Sequence, residues 1–256
     1  LLPVRSVTLP PASRTNAIFL GDEDSAKLLI DPSPNSEEEY RRLLTTIQDS
    51  VPDAIFLTHH HPDHHQLSNR LARELRIPII LSQDTLQRLT AKFGQQYFEN
   101  IELQTVSENQ QVTCWHGSAV RVYEIPGHDS GHLGLAPDSM AWFLVGDLIQ
   151  GIGTVVIPSP EGDMATYFNT LKKVISLSPE VIIPSHGIPM RTTHRLEETL
   201  KHRLQRESQI LKLHRSGKSR QEILMELYSE TDHRLHPAAM QNIESHLAKL
   251  RKENIL

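Results

Sequence analysis

Eight consecutive residues, Thr58–His65, constrain this chain most strongly, because they read T-H-H-H-P-D-H-H directly after an apolar segment. Five of the 15 histidines of the chain fall in this segment. Within it, His59, His61, Asp63 and His64 form an H-x-H-x-D-H pattern, and a turn after a strand can converge these four side chains. Imidazole and carboxylate groups are the ligands expected of Zn²⁺ and similar ions. The segment therefore predicts a metal site at the end of a strand.

Three later segments each place one more candidate ligand just after an apolar strand. They read I-P-G before His128, L-V-G before Asp147 and I-P-S before His186. In open α/β sheets, ligands bind beyond the carboxyl ends of the strands, so four strand ends would bring these residues to one rim. Each residue alone could belong to an ordinary turn, but together they favour a shared site. The predicted metal ligands are His59, His61, Asp63, His64, His128, Asp147 and His186.

The order of apolar segments favours a layered α/β fold. Strands are predicted at 17–20, 27–30, 53–57, 78–81, 119–125, 140–145 and 181–183. Helices fall between several of them. One is marked by a capping box at Ser36 and Glu39 and continues to Gln48, another by leucines at 67, 71 and 75, and a third by a cap at Asp163.

From about Thr193 the pattern becomes helical, so we divide the chain into domains at 1–192 and 193–256. Three short helices are predicted in the second domain, from leucines at 200, 204 and 211, from Ser219 with Glu222, and from apolar residues at 243, 247 and 250. This arrangement suggests a helix-turn-helix or winged-helix-like unit.

The charge of the chain is divided unequally. From Arg195 onward there are 12 Lys/Arg against 9 Asp/Glu, a net charge of +3, whereas the rest carries 14 against 22, a net charge of −8. A mildly basic helical domain can contact nucleic acid, with Lys249, Arg251 and Lys252 as candidate backbone contacts. The alternative is a solvated helical surface that packs on the core or on a second subunit, as in a homodimer.

Composition excludes some classes of protein. No apolar segment approaches the roughly 18 to 20 residues of a membrane span, so we expect no membrane partner. Leu1–Leu2–Pro3–Val4 lacks the features of a signal peptide. The single cysteine, Cys114, excludes an internal disulfide framework and is expected to be structural. It favours a cytoplasmic location, with the mitochondrial matrix as the alternative if a leader has been removed.

The metal-ligand segments resemble the five motifs of the metallo-β-lactamase superfamily, which appear in order over residues 14–189. The resemblance implies an αββα sandwich in which His59, His61 and His128 hold one metal, Asp63, His64 and His186 hold the other, and Asp147 bridges them. Two divalent ions would lower the pKa of a bridging water, and Asp63 would orient that water or carry its proton. We expect Zn²⁺, with Fe and Mn²⁺ as alternatives.

Further segments are similar to the subgroup of β-lactamase-like protein 2, a single-strand-specific endoribonuclease with a winged-helix-like C-terminal domain. They are 146–156, 167–171, Thr15–Asn16 and the helix residues from His202 to Leu211. The resemblance implies hydrolysis of phosphodiester bonds in single-stranded RNA. The alternatives are a thioester or ester hydrolase, like glyoxalase II or polyketide-type thioesterases, and a metal-binding protein without activity. Antibiotic hydrolysis is disfavoured, because this chain has Asp147 at the position where the best-known zinc β-lactamases have a cysteine.

The rim of the predicted site departs from the family pattern. The residues after His64 read H-Q-L-S where a glycine is usual, and Asp129 stands where a threonine commonly follows the third-motif histidine. His60, His65 and His132 are additional histidines near the predicted ligands. Either they contact the ligands or the substrate from outside the metal site, or they have structural roles only. Since loops at such a rim choose the substrate, these positions bear on specificity.

Overall fold

The first of two six-stranded sheets is built from the N-terminal part of the chain. The computed structural model describes residues 1–151 and 153–256, so Ile152, in the segment 146–156, lies outside the described residues. The strands are β1 (Leu2–Arg5), β2 (Arg14–Leu20), β3 (Leu28–Ile30), β4 (Ala54–Phe56), β5 (Ile79–Leu81) and β6 (Leu103–Thr105), paired in that order. Because β3 to β6 are parallel, their carboxyl ends meet at one edge.

The second sheet follows in the chain. Its strands are β7 (Gln111–Trp115), β8 (Ser118–Glu124), β9 (Leu133–Pro137), β10 (Phe143–Gly146), β11 (Val181–Pro184) and β12 (Met190–Arg191). The spatial order is β12-β11-β10-β9-β8-β7, and only β10 and β11 pair in parallel.

Eight α-helices accompany the sheets in the described part of the chain. They are α1 (Glu37–Ile47), α2 (Pro62–His65), α3 (Ser68–Leu75), α4 (Gln83–Phe93), α5 (Met164–Leu177), α6 (His194–Arg215), α7 (Arg220–Leu227) and α8 (His236–Lys252). None of the described helices combines the length and the hydropathy that crossing a membrane requires.

All seven predicted strands form, with bounds that shift by a few residues. The largest shift is at β10, which begins at Phe143 because Met140 has a φ of 54° and belongs to a turn. Sequence patterns missed β1, β6, β7, β9 and β12. Strand β6 is three residues of mixed polarity, and β9 contains a glycine and a proline, which weaken a strand pattern.

The predicted helix caps are confirmed with one correction. Ser36 caps α1 by accepting from the Glu39 backbone N–H at 3.2 Å, but the Glu39 carboxylate accepts from the Arg5 N–H at 2.8 Å instead of completing a capping box. The reciprocal box is present at the start of α7, between Ser219 and Glu222. Asp163 caps α5 as predicted.

Three apolar clusters divide the region of the two sheets into four layers, which confirms the predicted αββα sandwich. Residues of both sheets, including Phe56 and Leu135, pack together between the sheets. The outer face of the first sheet packs against α1, α3 and α4, with Tyr40 and Leu89 buried there. The outer face of the second sheet packs against α5, where Tyr167 and Leu171 are fully buried.

The C-terminal region is helical and has its own apolar core, centred on Ile210, Ile223 and Ile243. Its first helix, α6, has 22 residues and is not short as predicted. The buried face of α6 carries Leu196, Arg203 and Ile210, whereas Leu204, predicted to face inward, is 46% exposed. The division at 192 and 193 stays a prediction, with β12 ending at Arg191 and α6 beginning at His194.

Candidate metal centre

The seven predicted ligands come together between the two sheets. His59, His61, Asp63 and His64 follow β4, whereas His128, Asp147 and His186 follow β8, β10 and β11 of the second sheet. They form two groups. We call His59, His61 and His128 the first cluster, and Asp63, His64, Asp147 and His186 the second cluster. Metal binding by these side chains is a prediction from sequence. The distances between their ligand atoms show whether they fit an ion.

In the first cluster, three ring nitrogens converge on one point. His61 Nδ1 lies 3.0 Å from His59 Nε2 and 3.0 Å from His128 Nε2. A tetrahedral ion with metal–nitrogen bonds of about 2.0–2.1 Å separates its ligand nitrogens by about 3.3 Å. The three imidazoles therefore fit a divalent ion with only small adjustments.

In the second cluster, two carboxylates face two imidazoles. His186 Nε2 lies 3.3 Å from Asp63 Oδ2 and 3.3 Å from Asp147 Oδ1, and His64 Nε2 lies 3.7 Å from Asp63 Oδ1 and from Asp147 Oδ2. Asp147 Oδ2 is also 3.8 Å from His128 Nε2 of the first cluster. Asp147 thus stands between the clusters, where a bridging ligand is expected.

Several of these atoms are buried and have no hydrogen-bond partner within the described residues. They are His64 Nε2, Asp147 Oδ1 and His186 Nε2. Leaving buried polar atoms unpaired is costly, so their convergence calls for a cation. The donor set of nitrogen and oxygen atoms fits Zn²⁺, Fe or Mn²⁺ and does not select among them.

Asp31 and Thr58 orient two ligands of the first sheet. The Thr58 hydroxyl donates to Asp31 Oδ2 at 2.7 Å, so its oxygen is free to accept from His59 Nδ1 at 3.0 Å. Asp31 Oδ2 also lies 2.8 Å from His64 Nδ1. Each contact directs the other ring nitrogen, Nε2, toward the cluster, as outer contacts of metal-binding histidines commonly do. Sequence patterns missed both residues.

The remaining imidazoles are oriented by one side chain and two backbone oxygens. His61 Nε2 lies 3.4 Å from Glu161 Oε2. His186 Nδ1 donates to the Arg14 carbonyl at 2.8 Å, and His128 Nδ1 donates to the Val156 carbonyl at 2.7 Å. Because a carbonyl only accepts, the latter two rings carry a proton on Nδ1 and turn Nε2 toward the site.

Two histidines of the first cluster, His59 and His128, are arranged to stay neutral before a metal binds. Burial, together with the neighbouring His64 and His61, lowers the pKa of His59 well below its ordinary value. Burial and His61 lower the pKa of His128 to about 4. These imidazoles are therefore available as metal ligands at neutral pH without losing a proton.

The second cluster is arranged to hold protons. Burial alone would lower the pKa of His186, but the Asp147 and Asp63 carboxylates raise it to about 10. The same carboxylates, with Asp31, raise the pKa of His64 well above its usual value against the effect of burial. Conversely, burial would raise the pKa of Asp147, but His186 and His64 hold it well below its ordinary range.

The three additional histidines are buried and make outer or structural contacts. His60 Nδ1 lies 2.8 Å from Asp129 Oδ2. Asp129, which stands where the family commonly has a threonine, therefore pairs with His60. His132 Nε2 accepts from the Asp147 backbone N–H at 3.3 Å, which helps to fix that ligand. His65 Nδ1 pairs with the Tyr97 hydroxyl at 2.7 Å, on the side of the α3–α4 core.

A cavity of about 430 Å³, here called the metal cavity, opens onto both clusters. Its walls come from three parts of the chain: the N-terminal segment 7–11, the metal-ligand loops, and the C-terminal helices. The C-terminal wall includes Tyr228, Leu235, Ala238, Gln241 and Asn242. The helical region is therefore part of the site and not a separate appendage.

The C-terminal cations predicted to contact nucleic acid are not equally accessible. Lys249 donates to Glu207 at 2.7 Å and to Glu253 at 2.8 Å, and only 10% of its side chain is exposed. This engaged ammonium is unsuited to contact a phosphate backbone, which corrects the expectation for Lys249. Lys252 is 71% exposed and lies 3.3 Å from Asp163 Oδ2.

Two protein-family models and several known proteins match the sequence of this chain. Residues 10–186 match the sequence model of the metallo-beta-lactamase superfamily, and residues 219–255 match that of the beta-lactamase associated winged helix domain. A beta-lactamase-like protein 2 homolog of Drosophila melanogaster is 30% identical, over 94% of this chain and 84% of that protein. A hydroxyacylglutathione hydrolase of Wigglesworthia glossinidia brevipalpis is 31% identical, over 52% of this chain and 46% of that protein.

One solved structure extends the likeness to the whole fold. A metallo-beta-lactamase family protein from Thermus thermophilus matches with a TM-score of 0.78 at 20% identity, covering 99% of this chain and 93% of that chain. At this identity the likeness concerns the fold alone. It includes the C-terminal helices as well as the sandwich.

Proposed function

Because the chain belongs to the metallo-β-lactamase superfamily and is a metallo-hydrolase, we propose that it hydrolyses phosphodiester bonds of single-stranded RNA at a two-metal centre. The first cluster would hold one ion, and Asp63, His64 and His186 would hold the other, with Asp147 between them. When bound, the two ions supply positive charge and a water that ionises near neutral pH.

Asp63 is the residue of this chain suited to handle protons. Its carboxylate lines the metal cavity, with Oδ2 turned toward His186 and Oδ1 toward His64. Its backbone carbonyl accepts from the hydroxyls of Thr15 at 2.7 Å and of Ser33, so the carboxylate is held on a fixed turn. Asp63 can orient an attacking water and accept its proton at a carboxylate oxygen.

The observation that carries the RNA proposal is a groove with two cations that shares the residue Thr154 with the lining of the metal cavity. The groove, here called the α6 groove, is lined by Arg195, Lys201 and His202 of α6, with Glu198 as its acidic member. Thr154 lines both the groove and the cavity. A single strand that enters the cavity could therefore continue along α6 with its phosphates beside Arg195 and Lys201. The likeness to β-lactamase-like protein 2 homologs, which spans the C-terminal helices, agrees with this proposal.

A second candidate, hydrolysis of a thioester or ester, is favoured by the lining of the metal cavity itself. Among the described residues, that lining contains no lysine or arginine, and it includes the carboxylate of Glu161. Tyr228, Leu235 and Ala238 form an apolar wall that suits an acyl group. The partial likeness to a hydroxyacylglutathione hydrolase agrees with this alternative.

The first test is cleavage of end-labelled single-stranded RNA by metal-loaded protein. The Asp63→Ala protein, purified identically, serves as the control for contaminating nuclease. We expect cleavage by the wild type and none by the variant. Equal cleavage by both proteins, or none by metal-loaded wild type, would refute the proposal. In the latter case, turnover of a thioester panel that is lost in Asp63→Ala would establish the second candidate.

A second test concerns the α6 groove. Removing two cations with Arg195→Ala and Lys201→Ala should weaken RNA binding and reduce the slope of log affinity against log salt by about 1.4, since each phosphate contact on a single strand contributes about 0.7. Lys212→Ala is the matched control, because Lys212 is an exposed lysine of α6 outside the groove. Equal salt slopes in all three proteins would show that RNA does not follow this groove.

A further inference from the structure

The backbone segment 155–157 connects a predicted metal ligand with the C-terminal helices. The Val156 carbonyl accepts from His128 Nδ1 at 2.7 Å, which leaves His128 Nε2 facing His61 Nδ1 at 3.0 Å. The segment lies between β10 and α5 and belongs to neither a helix nor a strand. Val155 and Ile157 pack in the apolar cluster beside α5, and the backbone polar groups of the segment bond to side chains from other parts of the fold.

Two buried side chains of the C-terminal helices hold this segment on both sides of Val156. Asn242 of α8 accepts from the Ile157 N–H at 2.9 Å and donates to the Val155 carbonyl at 3.5 Å. The Arg203 guanidinium of α6 also donates to the Val155 carbonyl. Asn242 is 6% exposed and Arg203 is 3% exposed. Few other side chains could replace Asn242, because a carboxamide supplies a donor and an acceptor from one short side chain.

We propose that Asn242, assisted by Arg203, is a positioning residue for the metal centre. The two side chains fix the Val156 carbonyl, the carbonyl fixes the Nδ1–H tautomer and the direction of His128, and His128 completes the first cluster. The C-terminal domain thereby sets the affinity of one of the two ions. This inference rests on the metal centre of the proposed function, but it does not depend on which substrate is hydrolysed.

The inference distinguishes the two ions. The imidazoles of the second cluster, His64 and His186, are oriented by Asp31 and by the Arg14 carbonyl, both of which belong to the N-terminal sheet region. Loss of Asn242 should therefore weaken the ion held by His59, His61 and His128 and leave the other ion nearly unchanged. A side chain that merely packed the helical domain would lower stability without this selectivity.

The experiment compares Asn242→Leu and Asn242→Asp with Ile243→Ala. Leucine removes both hydrogen bonds, and aspartate keeps the acceptor for the Ile157 N–H beside the Arg203 guanidinium. Ile243 is the matched control, because it is a fully buried neighbour on α8 that packs in the C-terminal core. Stepwise Zn²⁺ affinities are measured by chelator competition, and thermal unfolding is measured in parallel.

We expect Asn242→Leu to weaken one of the two ions by about 10- to 100-fold, as loss of an outer contact to a metal ligand commonly does. Asn242→Asp should weaken it less, and Ile243→Ala should lower the melting temperature while leaving both affinities unchanged. Unchanged affinities in Asn242→Leu, or equal weakening of both ions, would overturn the inference.

A second measurement needs no metal. Nitrogen-15 NMR of the metal-free protein reports the tautomer of His128, with His128→Gln identifying its signals. We expect the Nδ1–H form in the wild type and a shift toward the Nε2–H form in both Asn242 variants. An unchanged tautomer would overturn the inference even if Asn242→Leu proves too unstable for titration. If the wild type itself binds no Zn²⁺, the proposed function fails, and the tautomer still decides whether Asn242 positions His128.

Discussion

Loading the metal-free protein with Zn²⁺ should release protons unequally from the two clusters. In the first cluster, burial and neighbouring histidines lower the pKa values of His59 and His128, the latter to about 4. In the second cluster, the carboxylates raise the pKa of His64 well above its ordinary value and that of His186 to about 10, although burial opposes both shifts. At pH 7 His59 and His128 are therefore neutral, whereas His64 and His186 of the second cluster are imidazolium groups.

The cost of this protonation follows from the pKa of His186. That pKa of about 10 lies three units above pH 7, and an ion that binds must displace the proton. Displacing the proton at pH 7 costs about 4 kcal/mol, or a factor of about 1,000 in affinity. A raised pKa keeps the group protonated as the pH falls, so the affinity of the second cluster decreases toward acid. With His64 also protonated, we expect a slope of about two log units per pH unit. The imidazoles of His59 and His128 should add little pH dependence to the affinity of the first cluster above about pH 5.

Calorimetric titration in buffers of different ionisation enthalpy measures the protons released at each step. The expected result is that His59 and His128 release almost no proton, whereas the step that fills the second cluster releases about two protons from His64 and His186 at pH 7. The control is His186→Gln, which removes one imidazolium and should reduce the release of the second step. Equal release at both steps, or a pH-independent second affinity, would refute this electrostatic account.

Two further predictions follow from the fold around the ligands. Asp31→Asn should reduce the affinity of the ion held by His64 by about 10- to 100-fold. The reason is that a carboxylate oxygen accepts from both the Thr58 hydroxyl and His64 Nδ1 better than an amide oxygen does. Chelator competition measures this affinity, and an unchanged value would contradict the prediction. Gly127→Ala should destabilise the protein by about 2–3 kcal/mol in chemical denaturation, because Gly127 has a φ of +132° and a Cβ there would lie 2.6 Å from the Tyr167 backbone nitrogen. A loss below about 0.5 kcal/mol would contradict the predicted clash.

The ligands could be predicted from sequence because each side chain is adjacent to the strand that places it. His59 to His64 follow β4 within a few residues, and His128, Asp147 and His186 each follow a strand with a short apolar pattern. The local sequence thus contains both the ligand and the element that positions it. The assignment of these seven side chains to metal still rests on that pattern and on the fit of their geometry.

The outer contacts could not be predicted, because distance along the chain separates them from the ligands. The carbonyl that orients His186 belongs to Arg14, 172 residues away, and any residue could supply it. Asn242 acts on His128 through the backbone of a third segment, so no spacing in the sequence reveals the link. Amphipathic periodicity also failed at Leu204, since the inner face of α6 is defined by packing against α5 and α8.

Each cluster draws side chains from both halves of the sandwich: His59, His61, Asp63 and His64 follow the first sheet, and His128, Asp147 and His186 follow the second. A bound ion would accordingly tie the sheets to one another, adding about 2.7 kcal/mol of stability at a free concentration about 100 times its dissociation constant. The lifetime of the folded protein would then depend on metal supply. A cell short of metal would lose the enzyme to proteolysis as well as losing its activity, and after the metal returns the activity would recover only as newly made chains bind it.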